Sequence, residues 1–379
     1  MKIRHFIVLS FFLSVLIYNE SFAQGVNIPA KTWGISFGNS PKFTGFRFNY
    51  RDKDFEKANI FYLTLWEPYT KFNEGSVDGI VNGLAVGLPI VRTGTINGIA
   101  VGIGMSADDD MNGINVGVLG AGTGDDMNGI NIGGLGIGSG GNLKGLNVGG
   151  LGLGSGDDIS GITVAGLGAG SGGDIYGITA AGLGLGASGD IKGISFGGLG
   201  MGAGGSINGI SLAVLGMGAK EDIKGINIAG IGIGAGKNLV GFNASIVGLG
   251  AAEEVRGINI TGVGMGAGEK VVGINIAGIG IGGKKVYGLN IAGIGIGGED
   301  VKGITIAPAH VKIENDGTLS GLSVSAYHKV EGTQKGLTIG VFNYTKNIKG
   351  LQLGLLNYVA SNPKGLRLLP VFNANFSKN

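Results

Sequence analysis

The chain has 379 residues, of which 83 are Gly, 7 are Pro and none is Cys; 43% are hydrophobic, 14% are charged, and the formal net charge is +2. This balance excludes disorder, which needs few hydrophobic residues and strong net charge, and collagen, which needs Gly at every third position and abundant Pro. The absence of Cys excludes a disulfide scaffold, a cysteine-anchored lipoprotein and Cys-ligated zinc.

Residues 1–23 are expected to be a secretory signal peptide: Lys2 and Arg4 are the charged start, Phe6 to Ile17 the apolar stretch, and Ser21-Phe22-Ala23 the cleavage segment. Its loss removes Lys2, Arg4 and Glu20 from 28 basic and 26 acidic residues, leaving 26 and 25. Near-neutral charge gives no reason to expect nucleic acid or an anionic membrane as a partner. No later stretch approaches about eighteen uninterrupted apolar residues, so no transmembrane helix is expected. The chain is therefore read as exported, to the cell surface, the outer membrane or the medium.

Almost everything that follows is a copy of Ile223 to Asn238, IKGINIAGIGIGAGKN. With Ile223 as position one, the frame restarts mostly every fifteen or sixteen residues, from Thr32, Phe43 and Ala58 through Val81, Met111, Ile175 and Val271 to Ile348 and Pro363, twenty-two units in all. The chain divides into atypical coils and a cap at 24–80, a Gly-rich array at 81–313 and atypical C-terminal repeats and cap at 314–379.

Positions four to six alternate apolar, polar, apolar, as in Ile258-Asn259-Ile260, and positions nine to eleven alternate again, as in Ile279-Gly280-Ile281. Period-two alternation predicts two short strands. If apolar means inward, positions one, four, six, nine and eleven form the core, and the parity slips by one residue at a small pair such as Ala229-Gly230. Corners are expected there, at the Gly of position three (replaced only by Ile60) and in the Gly-rich run at positions twelve to sixteen.

Two strands and three corners describe one coil of an all-β, single elongated β-solenoid. In-register parallel stacking at about 4.8 Å per coil would give a rod roughly 100 Å long. The alternative is an antiparallel outer-membrane-type β-barrel, favoured by the even unit count and by Phe376 near the terminus. Against it, five-residue segments are too short to span, and a combined strand would change its lipid-facing parity midway. Glu67 to Ser76 is expected to protrude as a loop, Phe43 to Tyr69 to cap one end, and Pro370 with Lys364 and Arg367 to block pairing at the other.

The segments Gly350-Leu351-Gln352-Leu353-Gly354-Leu355-Leu356-Asn357-Tyr358 and Gly365-Leu366-Arg367-Leu368-Leu369-Pro370 resemble the bacterial surface repeat-containing proteins, which carry GLQIGLxN-type units and a terminal LP segment. That resemblance implies a secreted or outer-membrane-associated protein of unassigned function, and brings no catalytic residues with it. The Gly-rich middle departs from the Asn-Tyr form of the repeat.

The polar rank at position five, comprising Asn115, Asn131, Asn147, Thr163, Thr179, Asn227, Asn243, Asn259, Asn275 and Asn290 together with Ser195 and Ser211, is expected on the outer surface. There it would be either a self-satisfying amide ladder or a glycan- or ice-binding face. Asp108, Asp109, Asp110, Asp125 and Asp126 share a late corner with no neighbouring cation in sequence, a candidate calcium site; later acids are compensated by Lys192, Lys224, Arg256 and Lys302. His310 and His328 both fall at position ten and are expected to stack on an outward rank continued by Asn343 and Asn357. Gly136 to Gly141 matches a dinucleotide fingerprint but lacks the following helix. No nucleophile stands beside a base. The expected function is a surface structural or adhesive element without catalytic activity or cofactor, whose partner is an unknown surface ligand or envelope component.

Overall fold

A computed structural model describes residues 25–69 and 77–376; the expected signal peptide and residues 70–76 of the expected loop lie outside the described residues. Two compact units, 1–166 and 167–379, divide the chain. Each is a β-solenoid of parallel, stacked strands, with about 18 coils in all.

In the first unit Leu143–Gly149 pairs in parallel with Met127–Gly133 on one side and Ile159–Ala165 on the other, residue for residue one repeat apart. The shorter strand Gly152–Ser155 pairs likewise with Gly136–Ser139. In the second unit Ile223–Ala229 lies between Ile207–Ala213 and Leu239–Ser245, and Gly232–Ala235 between Gly216–Ala219 and Gly248–Ala251. Parallel pairing of successive units excludes the antiparallel barrel. Corner residues join the ladder too: the Ile231 amide donates to the Leu215 carbonyl at 2.5 Å, and the Gly236 amide to the Ala219 carbonyl at 2.9 Å. Backbone groups of strand and corner alike find partners in the next coil, which is how so Gly-rich a chain satisfies its main chain.

Position three is a corner throughout. From Gly34 to Gly336 its glycines hold φ between 105° and 134°, a region closed to side chains by contact with the flanking carbonyls. Ile60, the one other residue there, is held at φ 83°, stacked between Gly45 and Gly83.

The inward set differs from the apolar set. In the Ile223 coil the buried residues are Ile223, Asn227, Ala229, Ile233 and Ala235, at 0, 0, 2, 3 and 7% exposure, while Ile226, Ile228 and Ile231 are 44, 41 and 53% exposed. Positions one, five, seven, eleven and thirteen all have the same parity, so no slip occurs at Ala229-Gly230. The expectation that four, six and nine form the core is overturned. The physical reason is width: a coil of fifteen or sixteen residues encloses room for two large aliphatic side chains, at one and eleven, beside small ones at seven and thirteen. The amide at five fits because it is hydrogen-bonded along the stack.

Antiparallel pairing closes the N-terminal edge of the first unit and the C-terminal edge of the second. Val26–Pro29 pairs antiparallel with Trp33–Phe37, whose other edge joins Lys42–Asn49 in parallel. The segment Phe43 to Tyr69, expected as a cap or a set of atypical coils, contributes Lys42–Asn49 and Lys57–Thr64, which pair in parallel residue for residue. At the other end the frame fails at Pro363: Lys364–Leu366 is a short 3₁₀ turn, and Leu368–Asn375 turns back antiparallel over Gly350–Tyr358. A strand edge covered by a reversed strand no longer offers a parallel template for another coil.

Candidate functional site

Position five is the most regular chemical feature, and it lies inside. Asn115, Asn131 and Asn147 are fully buried, Thr163 and Thr179 are 1% exposed, and Asn227, Asn243, Asn259, Asn275 and Asn290 are again fully buried. The rank expected on the surface is thus a core ladder, and the glycan- or ice-binding reading of it falls. Each amide donates to the next coil: Asn115 to Asn131 and Asn131 to Asn147 at 2.8 Å, then Asn227 to Asn243, Asn243 to Asn259 and Asn259 to Asn275 at 2.9 Å, and Asn275 to Asn290 at 2.8 Å. Amide repeat and strand repeat coincide, so each amide run satisfies itself internally; Asn115 Oδ1 and Asn227 Oδ1, at the starts of the two runs, and the Thr179 and Ser211 hydroxyls between them have no partner among the described residues.

Early coils place larger groups at the same position. Arg47 and Tyr62 are fully buried there, and Asp52, 1% exposed, receives hydrogen bonds from both. Asn49 adds a third donor to Asp52 at 2.6 Å, and the Arg47 guanidinium lies over the Phe55 and Tyr62 rings, 4.9 and 5.3 Å from their centroids. Burial, and then the Asp52 charge, hold the Tyr62 phenol well above its ordinary range. Sequence reading did not single out this cluster; the signal it missed is that Arg47 and Tyr62 occupy position five.

The acidic corner works as a set of clips. At the last position of a coil, the Asp110 carboxylate accepts the Asp126 amide at 3.1 Å, Asp126 accepts the Asn142 amide at 2.7 Å, and Asp190 accepts the Ser206 amide at 2.7 Å. The Asn142 amide, more than any other partner, draws the Asp126 carboxyl below its usual range; for Asp190 and Asp222 the leading cause is the neighbouring Lys192 or Lys224 ammonium. Lys192 to Asp190, Lys224 to Asp222 and Arg256 to Glu254 pair at 2.7, 2.6 and 2.8 Å, as their spacing suggests.

The five aspartates singled out for calcium are not cation-free. Asp108 pairs with Arg92 at 3.1 Å and accepts the Val77 amide, while Asp126 pairs with Lys144 at 3.4 Å. Among the described residues no three or more His, Asp or Glu converge in a geometry that would hold a metal ion. Arg92, which also pairs with Glu67 at 2.9 Å, borders an open groove lined by Ile90, Met105 and Leu119.

The two histidines do not stack. Register sets His310 against Tyr327 and Val311 against His328; His310 is exposed and His328 is buried at 1%. The rank that continues from His328, Asn343 and Asn357, is buried as well. Asn343 Nδ2 donates to the Leu353 carbonyl and to Asn357 Oδ1, leaving Oδ1 to accept from His328 Nδ1 at 2.8 Å. The ring therefore carries its proton on Nδ1 and accepts from Ser323 Oγ, at 2.8 Å, on Nε2.

Burial pulls the His328 pKa down to about 4. Below about 6.5 the unfolded chain takes up this proton and the folded chain does not, so stability falls as pH drops from about 6.5 toward 4 and is complete above that window. Between pH 7 and 4.5 the wild type is expected to lose about 2–3 kcal/mol more than His328→Asn in guanidinium titrations. Equal losses would contradict this assignment.

Outside the core, two faces differ sharply. From Leu167 to Pro308 charged residues occur only at position two and in the corner at fourteen to sixteen. The opposite side carries aliphatic rows: Ile178, Ile194, Ile210, Ile226, Ile258 and Ile274 at position four are 40–48% exposed, and Leu183, Leu199, Leu215 and Ile231 at position nine 43–53%. Among the described residues no helix is long and apolar enough to cross a membrane. No protein-family model, curated protein or solved structure matches the chain.

Proposed function

We propose that the chain is a non-catalytic structural element of the bacterial cell surface, exported by its N-terminal segment and built to present two chemically distinct faces. The observation that carries this reading is uniformity. The same inward set recurs coil after coil, and the buried amides from Asn227 to Asn290 bond to their own copies, so the chemistry is spread along the stack instead of being gathered at one point. The charged corner and the apolar rows repeat with the same step. Such an array suits contact with an extended object of the envelope. The apolar leader and the resemblance of the C-terminal repeats to surface repeat proteins support export.

The charged face supplies the test. Lys192, Lys224 and Lys237 are 41, 52 and 49% exposed. In intact cells a membrane-impermeant amine reagent is expected to modify them, with mass spectrometry showing the same peptides labelled as in lysed cells. Labelling only after lysis would overturn the surface assignment.

A further inference from the structure

The aliphatic rows at positions four, six and nine are left unexplained by stacking, since they point away from the core that the stacking fills. Within the second unit the nine coils that start at Ile175 and end with that of Val301 give a face about 43 Å long, at about 4.8 Å per coil; positions four to seven are strand, about 10 Å across at about 3.3 Å per residue, and the row at nine lies on the bend that follows. The strand part alone, roughly 430 Å², matches the largest apolar patch of a typical monomer, about 300–600 Å², and the row at nine extends it.

We propose that this face is covered by the same face of a second copy of the chain, in a two-fold, face-to-face dimer. The inference deepens the structural reading above by naming a partner. Three observations select a second copy.

The first is period. The rows form ridges one coil apart with grooves between them, and a surface can fill every groove only if its own ridges recur at the same step; another copy of this array does so by construction. Two such sheets can interdigitate as the facing layers of a β-sandwich do, about 10 Å apart. The second is charge. Positions three to twelve hold no Asp, Glu, Lys or Arg between Leu167 and Pro308, so apposing two copies buries no ion and opposes no like charges, while position two and the corner stay at the rim. The third is composition. A face built to enter a lipid interface carries Trp and Tyr within a border of free positive charge; the aromatic residues in these rows from Ile178 to Ile306 are Phe196 and Phe242 alone, with Tyr176 and Tyr287 beside them at position two, and the position-two cations Lys192, Lys224 and Arg256 are neutralised by Asp190, Asp222 and Glu254. The apolar surface is self-complementary, which is the requirement of a two-fold interface.

The test uses the signal-cleaved chain in detergent-free buffer, with sedimentation equilibrium as readout. Ile194→Lys, Ile226→Lys and Ile258→Lys are combined, at exposed sites in alternate coils so that the new ammonium groups do not neighbour one another within a chain. Wild type is expected to sediment as a dimer at low micromolar concentration. The triple variant is expected to dissociate at least about 100-fold more readily while keeping the wild-type circular dichroism spectrum. Lys237→Glu, in the charged corner beyond the second strand, is expected to leave the dimer unchanged. A wild-type monomer at about 100 μM, or a triple variant that remains dimeric, overturns the proposal. A monomer that floats with phosphatidylcholine vesicles overturns it in favour of a lipid surface. Surface labelling of cells is independent of all these outcomes, so the envelope assignment stands or falls separately.

Discussion

Gly225→Ala is expected to disrupt the stack locally, although it adds a single methyl group to a partly exposed corner. The residue sits at φ 117°, and a Cβ built there lies 2.0 Å from the carbonyl oxygen of Gly209 in the coil below. Two costs combine. The backbone conformation is one that alanine adopts only under strain, about 1–3 kcal/mol. The overlap is with main chain, which cannot rotate away, so the coils must part or the corner must rebuild, at a further 1–3 kcal/mol or so. A loss of roughly 2–6 kcal/mol follows. Because each coil is held by its neighbours, hydrogen exchange should accelerate at the amides of Ile207–Ala213 and Ile223–Ala229 before distant coils respond.

Ile60 reverses the sign of the same experiment. It already occupies position three at φ 83°, a β-branched residue in the left-handed region, with its side chain 57% exposed. Ile60→Gly removes the strain and gives up little burial, so a gain of about 1–3 kcal/mol is expected in guanidinium midpoint. Alanine tolerated at 225, or glycine harmful at 60, would contradict the corner geometry.

How far sequence reading reaches can be seen at these positions. The corner at Gly225 and the parallel register of Ile207, Ile223 and Leu239 were legible because a repeat of constant length forces like onto like. The direction of the strands' faces was misjudged, because the rule that apolar residues lie inside presumes a core wide enough to take them all. Here alternation is a true signal with the opposite phase: Ala229 and Ala235 mark the inner side by their size, and Asn227 by its stacking. Arg47 and Tyr62 at position five should have signalled this, since two such groups in a surface rank would break a supposed binding face, whereas in a core they pair through Asp52. The histidines were misplaced by one register step, because three residues separate Ile306 from His310 but only two separate their partners Val324 and Tyr327. The acidic corner misled differently. Carboxylates in adjacent coils suggested mutual repulsion, but backbone amides from the next coil meet them one by one.

The phase of the strands also decides the effect of polar substitutions, and here the two readings predict opposite rankings. Asn259 accepts from Asn243 and donates to Asn275, both at 2.9 Å, with all three side chains fully buried. Asn259→Ala leaves an amide donor on one neighbour and a carbonyl acceptor on the other without partners, in a fully buried row. At about 1–3 kcal/mol for each stranded group, the loss is roughly 2–6 kcal/mol. Asn259→Asp keeps the shape and the acceptor but sets a carboxylate oxygen against the Asn275 carbonyl and brings a charge inside, so it should be at least as damaging near neutral pH and partly relieved in acid, where the protonated acid can donate. Ile258→Asn, one residue earlier and 42% exposed, should cost about 1 kcal/mol or less, the amount expected for an exposed strand position. If position five faced water, this order would invert, with Asn259→Ala nearly silent and Ile258→Asn opening the core. Guanidinium unfolding followed by circular dichroism ranks the three variants, and hydrogen exchange across Glu254–Thr261 locates the damage. The ladder ends where the chain itself leaves off the amide: Ala100 precedes Asn115, and Thr163 follows Asn147, whose amide still donates to it, whereas an aliphatic residue placed between two amides would strand both.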